Sequence, residues 1–139
     1  MNRTIKFRGK SIYSEDWLYG SLVKIEKDRY AVIPPLNNIE IGKSIGMYEV
    51  YPETVGQFTG LFDKNGKEIY EGDILHTVTF GFEPEEYTAI ILYDNCRFQL
   101  SNGRNLFYFG QSDLTRMDDT IMIGNIHDNP ELINMKKSN

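Results

Sequence analysis

The sequence predicts an all-β fold: a small, strongly bent β-barrel with an N-terminal β subdomain packed against it. Three observations lead there. Turn-forming residues recur every few positions, among them Asn65-Gly66, Glu71-Gly72, Asp94-Asn95 and Asn102-Gly103. The runs between them are short and rich in Tyr, Phe, Val and Ile, which suit a pleated, half-buried surface. No long apolar stripe at helical spacing competes with that pattern. Closing short strands into a barrel removes the exposed edges they would otherwise leave.

The elements follow in order. Arg3 to Phe7 alternates polar and apolar residues and reads as the first strand. Ser14-Glu15-Asp16 reads as a turn. Trp17 to Ile25 is a second strand, with Trp17, Tyr19, Ser21 and Val23 on one face and Leu18, Leu22 and Lys24 on the other. Glu26-Lys27-Asp28 turns the chain into a partner at Tyr30 to Ile33, which Pro34-Pro35 stops. Residues 36–46, with Asn37-Asn38, Gly42 and Gly46, read as a loop. Tyr48 to Tyr51 is a short strand ended by Pro52.

The N-terminal β subdomain is expected to cover residues 1–56, the barrel 57–128 and a tail 129–139. Gln57 to Leu61 begins the barrel. Asn65-Gly66 predicts a type I′ hairpin turn, which needs positive φ at both central residues. Glu71-Gly72 supplies the next bend. Ile74 to Phe82 alternates irregularly, and Glu83-Pro84-Glu85-Glu86 is an acidic loop. Strands follow at Thr88 to Tyr93, Arg97 to Leu100 and Leu106 to Phe109. Asp113 to Asp119 reads as a short helical turn, and Thr120 to Ile126 as the last strong strand. Pro130 suits the first position of a helical turn in the tail.

Composition narrows the function classes. The chain has 139 residues, a net charge of −5 and a pI near 5.0, which works against a general phosphate-binding surface. Arg3, Lys6, Arg8 and Lys10 form the one early basic cluster. It reads as a solvated strand face, with an anion-binding edge as the alternative. Cys96 is the single cysteine, so no intrachain disulfide forms; this fits a reducing compartment and a cytoplasmic location. No secretory leader and no membrane helix is expected.

No residue pattern amounts to a catalytic or metal-binding signature, and no cofactor is expected. His76 and His127 are the only histidines and lie at no ligand-pair spacing with each other or with Cys96. A Cys96 nucleophile would need a base beside it, and a buried structural thiol is the plainer reading. Asp63, Glu71 and Asp73 near two turns offer three carboxylates to a hard cation, but Lys64 and Lys67 compete for them and no calcium-loop spacing is present. Glu85-Glu86 reads as a solvated loop and not an acid/base pair. No nucleophile elbow, P-loop or dinucleotide fingerprint occurs.

The stretch from Gln57 to Ile74 resembles the YopX family, known mostly from phages and prophages of bacteria. The resemblance rests on Gln57-Phe58-Thr59-Gly60-Leu61, Asp63, Asn65-Gly66-Lys67, Ile69-Tyr70 and Glu71-Gly72-Asp73-Ile74. Ile5-Lys6-Phe7-Arg8 resembles the family's opening. Ile123-Gly124-Asn125-Ile126, followed by Asn129-Pro130-Glu131-Leu132, resembles its close. The resemblance implies an all-β fold with an SH3-like barrel and a phage or prophage ancestry. It implies no activity.

Physically the motif reads as architecture. Gly60, Gly66 and Gly72 sit where φ is positive or a side chain would clash. Asp63 and Asp73 accept from backbone N–H groups at turn starts. Tyr70 lays its ring over the barrel and sends its hydroxyl to solvent. On this reading Gly66→Val and Gly72→Val cost more stability than Asp63→Asn. The expected function is a non-enzymatic interaction module that binds a phage or host protein or itself. Two-sided apolar strands at Ile90–Tyr93, Leu106–Phe109 and Ile121–Ile123 point to a homo-oligomer. A nucleic-acid-binding barrel is the second reading, and an enzyme the third.

Overall fold

The computed structural model describes residues 4–35, 46–78, 86–94, 96–101, 106–108 (backbone only) and 119–133. Arg3, residues 36–45 of the expected loop 36–46, residues 79–85, Asn95, Asn102-Gly103, Phe109, residues 113–118 of the helical turn expected at 113–119 and the end of the tail lie outside the described residues. The chain is nearly all β. It divides into two compact units, Met1–Phe58 and Thr59–Asn139. The division falls two residues past the boundary expected at 56.

In the first unit, β1 (Phe7–Lys10) pairs antiparallel with β2 (Trp17–Glu26), β2 with β3 (Arg29–Ile33), and β3 with β4 (Tyr48–Val50). The first strand was expected at Arg3 to Phe7 and lies three residues or more downstream. The reason is Gly9. A Cβ there would stand 2.8 Å from Val50 Cγ2, so the bare backbone lets β1 approach Val50 closely. The meander then wraps onto itself. Ser11 bridges Val50, the Tyr51 N–H donates to Lys10 O at 2.9 Å, and the Ile12 N–H donates to Glu49 O at 3.1 Å. A 3₁₀ turn at Pro52–Thr54 follows β4. The Thr54 hydroxyl oxygen accepts from the Lys10 N–H at 2.9 Å and its proton goes to Tyr51 O at 2.6 Å. β5 (Gly56–Phe62) then lays Gly56 and Gln57 against Arg8 and Phe7. Ala31, Val32 and Val50 are sealed from solvent.

β5 runs across the division, and its hairpin with β6 (Glu68–Tyr70) belongs to the second unit. There β7 (Asp73–Val78), β8 (Glu86–Asp94), β9 (Arg97–Ser101), β10 (Leu106–Tyr108) and β11 (Ile121–Asn125) form an antiparallel sheet in the order β10-β9-β8-β7-β11. Opposed residues across this sheet share a face, so Leu75, Ala89 and Met122 meet, as do Ile91 and Leu100. Leu75, Ala89, Ile91 and Leu100 form the core with Ile69 and Tyr87, and Phe98 and Met122 pack against it. Ile74, on the other face of β7, is also fully buried. The irregular alternation at residues 74–78 therefore has a cause: β7 is covered on both sides.

The barrel was expected at 57–128. Among the described residues, the bonds that wrap a sheet onto itself lie in the first unit. Among the described residues, the sheet of the second unit runs in order from β10 to β11.

Candidate functional site

The motif residues between Asp63 and Asp73 build two turns, and both are tied to the segment 120–129 of the same unit. The first turn differs from the expected type I′. Gly66 has φ +80°, but Asn65 is not among the positive-φ residues. The Gly66 N–H donates to Asp63 O at 3.0 Å, and the Asp63 N–H donates to Lys67 O at 2.9 Å. This is a three-residue loop, a bonded turn followed by a left-handed glycine. The Asp63 side chain selects it. Its Oδ1 accepts from the Asn65 and Lys67 N–H groups at 2.8 and 2.9 Å. Its Oδ2 accepts from the Met122 N–H on β11 at 3.0 Å. The Lys64 N–H donates to Thr120 O at 2.9 Å.

The second turn joins β6 to β7. Gly72 has φ +92°, and Asp73 Oδ2 accepts from the Tyr70 N–H at 2.7 Å. Gly72 joins two other segments: its N–H donates to Ile91 O at 2.9 Å and its carbonyl accepts from the Ile126 N–H at 3.0 Å. Tyr70 differs from the expectation. Its side chain is 2% exposed and its hydroxyl donates to Glu68 Oε1 at 3.0 Å, so a neighbouring carboxylate takes the place expected of solvent. Gly60, at φ +89°, has open space where a Cβ would stand.

Gly124 to Pro130 completes the node. Asn125 Oδ1 accepts from the His127 and Asp128 N–H groups at 3.0 and 2.9 Å. The Asn129 N–H donates to Asn125 O at 2.8 Å. A Cβ on Gly124 would stand 2.6 Å from Asn129 Oδ1, so Asn129 occupies the space that Gly124 leaves. Pro130 precedes a helical turn at 131–133, whose Ile133 N–H donates to Pro130 O at 3.2 Å. Ile123 is the extra residue of a β-bulge in β11, and the buried Thr77 and Thr120 hydroxyls share a hydrogen bond of 2.6 Å. The bulge and the threonine pair carry no sequence signal that would have found them.

Chemically, the arrangement uses its carboxylates on backbone. Burial pushes the Asp63 carboxyl up. The N–H groups of Met122, Lys67 and Asn65 and the charge of Lys67 outweigh burial and hold it below the ordinary aspartate value. A depressed folded-state pKa adds stability that is present above the unfolded value and is lost as pH falls through the folded one. The expected outcome is a urea midpoint that declines once pH drops below about 4, the unfolded aspartate range. Asp63→Asn should flatten that decline. An equal decline in both proteins would mean that Asp63 does not carry it.

Asp63, Glu71 and Asp73 do not assemble into a cation site: among the described residues no three His, Cys, Asp or Glu side chains converge for a metal. His76 Nε2 lies 3.8 Å from Glu86 Oε1 on neighbouring strands, and His127 sits in the Asn125 turn. Cys96 is exposed, with φ +64°, in the β8–β9 turn, where a buried thiol was expected. The basic cluster is not simply solvated. Lys6 stands over the Phe58 ring at 5.2 Å. Arg8 and Lys10 stand over Trp17 at 4.6 and 5.8 Å, and Arg8 is only 4% exposed. The strand alternation put Trp17 on one face, and its pairing opposite Lys10 makes these contacts.

Three large apolar side chains on β8 and β11 stay in solvent. Tyr93 is 54% exposed, Ile123 41% and Leu92 37%. Phe62, next to Asp63, is also exposed. Tyr93 meets Phe98 edge-to-face at 5.2 Å at the open end of the core face. No helix among the described residues is long and apolar enough to cross a membrane.

The family described as YopX protein matches residues 6–134. A crystal structure of protein EF1440 from Enterococcus faecalis is similar to this chain, with 30% sequence identity and a TM-score of 0.60. The match covers 95% of this chain and 99% of that one. No curated protein matches.

Proposed function

This chain belongs to the YopX family, and from that premise we propose that it is a non-enzymatic interaction module that binds a protein, with a second copy of itself as the first partner. We place it in the bacterial cytoplasm, with a phage or prophage origin, on the strength of the family resemblance and the single cysteine. The observation that carries the reading is the contrast within the second unit. Its motif carboxylates Asp63 and Asp73 accept from backbone amides. Its exposed residues Leu92, Tyr93 and Ile123 are apolar. Burying these apolar side chains against a partner would remove them from water, which is the gain that association supplies.

From Tyr87 to Ile91 both faces of β8 are buried, except for half-buried Ile90. The surface available for association is therefore smaller than three wholly two-sided strands would leave. It supports a concentration-dependent oligomer. Light scattering across a tenfold range of micromolar concentration tests this. The expected result is a mass that rises above the 16.1 kDa of one chain. A mass fixed at one chain throughout would remove self-association and leave a different protein as the partner.

A further inference from the structure

We propose that Asn65 is a spontaneous deamidation site, and that the Asp63 carboxylate is the brake that keeps it slow in the folded protein. Asn65 and Gly66 are both exposed at the hairpin tip, with nothing within 4 Å of the place where a Cβ on Gly66 would stand. An asparagine followed by glycine is chemically primed, because no side chain shields the following amide. The Gly66 nitrogen loses its proton and attacks Asn65 Cγ. The Asn65 side-chain nitrogen leaves as ammonia, and a five-membered succinimide closes. Water then opens the ring at either carbonyl, giving aspartate or isoaspartate.

The fold opposes the first step in two ways. The Gly66 N–H already donates to Asp63 O at 3.0 Å, which resists its deprotonation. Asp63 Oδ1 grips the Asn65 and Lys67 N–H groups on either side of the attacking atom. Ring closure requires rotation of the Asn65 backbone, and the grip holds that rotation back. The reaction therefore proceeds through local opening of the turn. Its product would be felt beyond the tip. A new carboxylate at position 65, or an extra backbone carbon there, falls inside the loop that Asp63 closes, and the same carboxylate holds the Met122 N–H of β11. Deamidation would thus loosen the tie between the turn and the sheet irreversibly, and it would do so once the turn is opened.

The test follows the mass of the fragment released by cleavage after Glu53 and Glu68 while the full chain stands in mildly alkaline buffer. Native protein, the same chain unfolded in urea, and Asp63→Ala are compared. The expected result is slow amide-to-acid conversion at Asn65 in the native chain, roughly tenfold or more faster in urea, because opening no longer limits it. Asp63→Ala with native dichroism should approach the unfolded rate. If Asp63→Ala does not fold, the native and urea rates of the wild type decide. A native rate equal to the urea rate, a folded Asp63→Ala no faster than wild type, or no conversion at Asn65 in urea would each overturn the proposal.

Discussion

Gly20→Ala is expected to destabilise the first unit by roughly 3 kcal/mol or more, combining overpacking and backbone strain. Gly20 lies on β2 opposite Phe7. Its φ is +156°, and a Cβ there would stand 2.0 Å from Ile33 O, 2.9 Å from Ile33 C and 3.0 Å from Pro34 Cα. Those are backbone atoms of the neighbouring strand and its exit, so no side chain can swing away. The end of the β2–β3 ladder, where Ser21 opposes Ile33, has to separate. Gly60→Ala is the control. It has φ +89° and open space around the new methyl, so it should cost only the left-handed strain of about 1–2 kcal/mol. Urea denaturation of both variants checks the pair. Equal midpoints would mean that close approach at Gly20 does not matter.

Asp63→Asn is expected to cost about 3 kcal/mol, which makes it at least as damaging as Gly66→Val. Hydrogen bonds to a charged group contribute about 1.5–3 kcal/mol each, and a buried donor left facing a donor costs more than a lost bond. Asparagine keeps one acceptor oxygen. If that oxygen serves Asn65 and Lys67, an NH₂ group faces the Met122 N–H. Gly66 is exposed and surrounded by open space, so Gly66→Val meets only the φ penalty. The sequence-based ranking, which put Gly66→Val above Asp63→Asn, is thereby reversed for that pair. Gly72→Val stays costly, because Gly72 is buried and bonded on both sides. Thermal midpoints of the three variants give the order, and an Asp63→Asn midpoint near wild type would refute it.

What was legible in the sequence was local. Positive φ at Gly66 and Gly72 follows from turn chemistry within a few residues. The same holds for the strand Trp17 to Ile25, observed as Trp17–Glu26, and for the all-β class. What was not legible depends on residues far apart. The Asp63–Met122 bond spans 59 positions, and the Thr77–Thr120 pair spans 43. Nothing in either segment names its partner. Wrapping of the first unit at Ser11 and Val50 escaped for the same reason, and so did the burial of both faces of β7. The turn at Asn65 was mistyped because the Asp63 side chain, acting from two residues away, outweighs the intrinsic Asn-Gly preference.

The motif residues build the turns of the second unit, and the proposed self-association rests on other residues, the exposed apolar side chains of β8 and β11. Sedimentation velocity of Leu92→Glu combined with Ile123→Glu tests that proposal most directly. The double variant should sediment as a single chain at concentrations where wild type associates, with an unchanged far-ultraviolet dichroism spectrum. A double variant that keeps its fold and associates as strongly as wild type would contradict self-association through these residues.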